Sequence, residues 1–162
     1  MSAGTPTLGT LLRHLIEHLD GAVEQAYQQA GLDYRPRYTP VIRALMAQGP
    51  VSLRVISREA RISHSAVSQT VSQMVNDGLV ELQPGSDGRE RIVTLTPRAR
   101  AMLPALERQW SATNAAAERL DAELSAPLSG ILREALEALE REPFDTRIEK
   151  AAAELPKPRR RS

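Results

Sequence analysis

At 162 residues, with 41% hydrophobic and 25% charged residues, the chain is long enough for one folded domain and too evenly composed for global disorder. It contains no cysteine, which excludes disulfides, zinc fingers and thiol chemistry, and no stretch approaches the roughly 18 to 20 apolar residues that a bilayer span requires. The formal charge of +1 hides a segregation: residues 35–100 carry ten arginines against five carboxylates, while residues 1–34 and 101–155 are net acidic.

A basic middle between acidic ends suggests that the middle meets a polyanion and the ends do something else. The N-terminus has no signal-peptide pattern, so a cytoplasmic protein with no membrane contact is expected. Aromatic residues make up only 3% of the chain, so aliphatic side chains must fill the core, which favours helices. The expected fold class is mainly α with a small β-hairpin.

The first long segment places Leu8, Leu11, Leu12, Leu15, Ile16, Leu19, Val23 and Tyr27 at helical spacing, so an amphipathic helix is expected up to Gly31. After a connection, "TPVIRALMAQGP" predicts a short helix with Thr39 as N-cap, Pro40 at the first helical position and Gly49-Pro50 as the stop. "SLRVISREAR" predicts another, capped by Ser52 and burying Leu53, Ile56 and Ala60. "SHSAVSQTVSQMVNDG" predicts a third, capped by Ser63, with an apolar stripe of Val67, Val71, Met74 and Val75. "LVELQPGSDGRERIVTLT" predicts a hairpin of two β-rich runs around a turn. Thr96-Pro97 opens a long helix in which Pro104 should kink or delay the start. Ser125 is the expected cap of a final helix that Pro143 terminates, and the tail "PKPRRRS" is expected to be disordered.

Two short helices followed by a hairpin make a helix-turn-helix with a wing. The second helix exposes His64, Ser65, Ser68, Gln69 and Ser72 opposite its apolar stripe. Short, hydrogen-bonding side chains at a leading helix end suit the major groove of DNA, where Gln69 can pair with an adenine edge. Arg54 and Arg58, with Arg35 and Arg37 before them, are placed to hold the phosphate backbone.

The stretch from Ser52 to Arg100 resembles the winged-helix core of the MarR family of bacterial transcriptional regulators. The wing carries the resemblance most specifically: Asp87-x-Arg89, then Ile92-Val93-x-Leu95-Thr96-Pro97, is similar to the family's D-x-R…LT pattern. The chain has Ala99 where the family often has glycine. The resemblance implies a ligand-responsive repressor that binds a palindromic operator on double-stranded DNA as a homodimer. It also implies an organisation in which residues 1–34 and 97–142 form a helical dimerisation region. Residues 35–96 then form the DNA-binding lobe and residues 143–162 a C-terminal extension. Arg89 matches the wing arginine that enters the minor groove, with Asp87 expected to orient it or Arg91. A small aromatic or phenolic effector is implied where the helices meet the lobe, with His14, His18, Tyr38, Arg43 and Trp110 as candidate lining.

His14 and His18, four residues apart, put two imidazoles on one helical face, as a metal site requires, but no third ligand follows in the sequence. No metal and no cofactor are therefore expected. No nucleophile–base pair or Gly-rich phosphate loop appears, so the chain is not read as an enzyme. The alternative to a DNA-binding regulator is a winged helix used for protein docking, against which the arginine segregation argues.

Overall fold

The structure is a computed structural model that describes residues 5–155; the basic tail from 156 onward lies outside them. Among the described residues the order is α1 (Leu8–Gln29), a 3-10 turn (Pro36–Tyr38), α2 (Thr39–Gln48), β1 (Val51–Ser52), α3 (Leu53–Ala60) and α4 (His64–Asn76). There follow β2 (Val80–Pro84), β3 (Arg91–Leu95), α5 (Pro97–Glu123), α6 (Leu128–Arg141) and α7 (Phe144–Glu154). No helix among the described residues is long and apolar enough to cross a membrane. The fold is mainly α with a small antiparallel sheet, in the winged-helix arrangement.

The chain divides into two compact units, one through Thr113 and one from Asn114 onward. In the first unit, α2, α3 and α4 enclose a core of Ile42, Leu45, Ile56, Val67, Val71 and Met74, joined by Val80 and Val93 from the sheet and Leu106 and Trp110 from α5. The expected stripe of α4 is therefore the buried one, except that Val75 is exposed. Ser52 and Ser63 cap α3 and α4 as expected, each hydroxyl accepting from the backbone N–H three residues on, Val55 and Ala66.

The sheet has three strands in the order β1-β3-β2, not the two of a plain hairpin. Val51 and Ser52 pair with Val93 and Ile92, while β2 and β3 run in register from Val80↔Leu95 to Pro84↔Arg91. A two-residue strand carries no alternation, so spacing could not have revealed it.

Thr96 fastens the end of the wing to the next helix. Its backbone N–H donates to the Leu79 carbonyl (3.1 Å), its hydroxyl donates to the Gly78 carbonyl (2.8 Å) and accepts from the Ala99 N–H (3.1 Å). The hydroxyl thus caps α5 while holding the turn that leaves α4. Ala99 is buried at the start of α5. From there α5 runs unbroken through Pro104, which neither ends it nor delays its start.

Three further expectations are corrected. Helix α2 begins at Thr39 itself, with Tyr38 in the cap position; the Thr39 hydroxyl instead accepts from Tyr34 Oη at 3.2 Å. In the second unit Ser125 does not cap α6: Asp121, seven residues upstream of Leu128, accepts from its N–H (2.8 Å) and from the Ser129 hydroxyl (2.6 Å). The Ser129 hydroxyl, then the Ser129 and Leu128 amides, hold the Asp121 carboxyl below its ordinary range. Pro143 ends α6 but also starts α7, so the expected extension contains a helix, with Arg147 donating back to the carbonyls of Glu142 and Ala138.

Candidate nucleic-acid interface

Helix α4 turns its polar residues outward: His64, Ser65, Gln69 and Ser72 are exposed and Ser68 is half-buried. Some of that polarity is already committed. Ser72 donates its hydroxyl proton to the Ser68 carbonyl (2.8 Å), and the Ser65 hydroxyl lies 3.3 Å from that of Ser63. Gln69, whose side chain has no hydrogen bond within the described residues, keeps its whole amide for a partner.

The other end of α4 is anchored three ways. Tyr38, fully buried, donates to Asp77 Oδ2 at 2.6 Å; Gln73 donates to Asp77 Oδ1 at 3.0 Å; Arg98 donates to the Asp77 carbonyl at 2.8 Å. The Tyr38 hydroxyl foremost, then Gln73 and the charges of Arg35 and Arg37, hold the Asp77 carboxyl below its ordinary range. Burial pushes the Tyr38 phenol up, so it stays a neutral donor. These positioning residues escaped the sequence, because Tyr38 and Asp77 are 39 positions apart and nothing in either neighbourhood marks the pair.

The turn between α3 and α4 contains Arg61 at φ 53°, ψ 40°, the left-handed region that L side chains rarely occupy. Ser57 braces this turn by donating to the Ile62 carbonyl at 2.6 Å. Arg61, exposed here, joins Arg54 and Arg58 as a cation at the helix-turn-helix, one that spacing did not single out. Arg58 also meets Glu59 at 3.4 Å, an exposed pair worth little.

The wing tip is folded on itself. Gly85 donates to the Glu90 carbonyl (2.7 Å), Gly88 to the Gly85 carbonyl (3.1 Å), and Gly88 sits at φ 68°, which favours glycine. Asp87 does not reach a guanidinium: its Oδ1 accepts from the backbone N–H of Arg89 (3.0 Å) and Glu90 (3.2 Å). It is a turn former that fixes the backbone from which Arg89 projects, and Arg89 and Arg91 are both exposed.

The five candidate effector residues differ in exposure and partners. Trp110, buried, donates Nε1–H to Tyr27 Oη at 3.0 Å, and the exposed Arg43 guanidinium lies 5.0 Å from the indole centroid. Tyr38 is turned toward Asp77, and His14 and His18 are exposed on α1. A cleft of about 480 Å³ opens beside the end of α1, lined by Glu24, Gln28, Leu32, Asp33, Tyr34 and Arg35. Tyr34 stands edge-on between Tyr27 and Tyr38, with centroids 4.9 and 5.7 Å away, so all three tyrosines form one ladder.

Residues 31–90 match the sequence model of the MarR family. No curated protein sequence matches the chain. Solved structures with a similar fold include an M. tuberculosis transcriptional regulator, MosR, in complex with DNA: 17% identity, 93% of this chain, all of the other, TM-score 0.65. The PcaV regulator of Streptomyces coelicolor, in complex with its natural ligand, is 19% identical over 86% of this chain and 98% of its own, TM-score 0.57. A MarR family regulator from Neisseria meningitidis is 23% identical over 91% and 94%, TM-score 0.52. At these identities the structural likeness is one of fold. Residues 31–90 are thus similar in sequence to the MarR family, and the chain shares the winged-helix fold of these regulators.

Proposed function

We propose that the protein is a sequence-specific regulator of transcription that binds a palindromic operator as a homodimer and represses until a small ligand releases it. The observation that carries this reading is the exposed polar face of α4, led by Gln69, beside a wing that presents Arg89, within a block of ten arginines against five carboxylates. Gln69 and Ser65 would read base edges in the major groove, and Arg89 would enter the minor groove. Arg54, Arg58 and Arg61 would hold phosphates. That a neighbour of the same fold was solved on DNA supports the first half of the reading; that another was solved with its ligand supports the second.

The homodimer rests on unpartnered apolar surface. Leu8 and Ile16 of α1 are 67% and 53% exposed, and Ile131 and Leu136 of α6 are 49% and 60% exposed. Burying each such side chain is worth roughly 1.5–3 kcal/mol, and a monomer leaving them in water would tend to aggregate. A two-fold pair of lobes suits inverted half-sites about one helical turn apart. For the effector, the exposed Arg43 guanidinium over Trp110 offers a site for the carboxylate of an aromatic acid.

Gel-shift titrations with duplexes tiled across the region upstream of the protein's own gene, against random duplex, test the reading. A strongly preferred segment containing an inverted repeat is expected, with affinity falling steeply as salt rises. Equal binding to all duplexes would refute it.

A further inference from the structure

We propose that His14 and His18 form a surface site on α1 for a single divalent d-block cation such as Zn²⁺ or Ni²⁺. The two residues are one helical turn apart and their Nε2 atoms face each other at 3.1 Å. Neither ring makes another hydrogen bond within the described residues, and the rings stand edge to face, interplanar angle 88°, with both imidazoles open to solvent. A cation held by both nitrogens at the usual metal–imidazole distance of about 2.05 Å would subtend an N–metal–N angle of roughly 100°. That lies between the octahedral and tetrahedral ideals; to close the chelate, the proton that bridges the two Nε2 atoms passes to Nδ1 and the exposed rings turn to aim both lone pairs at the ion, with no change in the helix.

The surroundings favour a cation. Arg13 is the single base in residues 1–34, and its guanidinium Nε is turned back to the Gly9 carbonyl at 3.3 Å, away from the pair. Glu17 lies beside the two histidines on the helix, and Asp20 and Glu24 follow. No group of three or more His, Cys, Asp or Glu able to hold a metal occurs among the described residues, so the protein supplies two ligands and water the others. Two neutral nitrogens select imidazole-loving ions such as Zn²⁺, Ni²⁺ or Cu²⁺ over the oxygen-seeking Mg²⁺ and Ca²⁺. Bound there, the ion would staple one turn of α1 to the next, on a helix that carries unpartnered leucines and the interior Gly21.

Isothermal titration of the full-length protein with Zn²⁺ or Ni²⁺ alone, in a buffer without chelating components, is the direct test, with Mg²⁺ as the control ion. Saturable uptake of one ion per chain is expected, with no uptake of Mg²⁺. His14→Gln and His18→Gln should each weaken it by more than the roughly tenfold that the loss of a mere outer-shell partner costs. Both side chains are exposed, so circular dichroism of the variants should match the parent. Two equivalent nitrogen couplings in the electron paramagnetic resonance spectrum of the Cu²⁺ complex would support the pair. Undiminished uptake by the double variant, or no uptake by the parent, would overturn the proposal.

Discussion

Arg89 leaves a backbone that its neighbours hold still: Asp87 accepts from its N–H, and the Gly85–Glu90 and Gly88–Gly85 bonds close the tip around it. Removing the guanidinium should therefore cost contact energy without disturbing the wing. Arg89→Ala is expected to weaken specific binding by roughly 1–3 kcal/mol, measured by fluorescence anisotropy on an operator duplex. A second residue-scale consequence concerns acid stability. Because the Tyr38 hydroxyl holds the Asp77 carboxyl low, the stability the pair contributes is present above the ordinary aspartate pKa of about 3.9 and is lost as pH falls through the lower folded value. Tyr38→Phe is expected to lose about 1 kcal/mol at neutral pH, and its deficit should shrink as chemical denaturation is repeated below about pH 4. A deficit independent of pH would mean that the hydroxyl does not act through the ionised Asp77 carboxylate.

At the scale of elements, Thr96 is the clearest hinge between wing and helix, since one hydroxyl serves both the Gly78 carbonyl and the Ala99 N–H. Thr96→Val keeps the shape and removes the hydroxyl, and about 1–3 kcal/mol of stability should go with it in urea denaturation. This junction was legible in the sequence because "LTP" writes a strand end, a cap and a first-turn proline in adjacent positions. The Ser52 and Ser63 caps were legible for the same local reason. What stayed hidden depends on partners distant in the chain or on signals too short to repeat. Strand β1 has two residues and exists through Val93 and Ile92. The cap of α6 comes from Asp121 across a loop, while the nearer Ser125 offered a better local signal. Pro143 was read as a stop, although a proline serves as well to start a helix as to end one. Of the candidate interface, the outward face of α4 could be read from spacing, and the wing arginine from the family resemblance. The Tyr38–Asp77 and Arg98–Asp77 contacts that set the angle of α4 could not.

For the molecule as a whole, the proposed dimer makes the exposed leucines and isoleucines of α1 and α6 functional. Leu136, 60% exposed in the single chain, touches too little for its replacement to unfold the chain. Leu136→Glu is therefore expected to convert a dimer to a monomer by light scattering while the circular dichroism spectrum is kept. A monomer already present before substitution would defeat the dimer proposal. In the proposed dimer, operator recognition by two joined lobes would follow the same geometry, because a monomer would meet one half-site and lose the gain that linkage brings. The most direct measurement of the central claim is the affinity of the protein for its upstream inverted repeat and for a scrambled duplex of equal length, taken across a range of salt. We predict that the repeat is bound at least about a thousandfold more tightly, and that Arg89→Ala lowers affinity for the repeat more than for the scrambled duplex. Equal affinities, falling together with salt, would contradict the account.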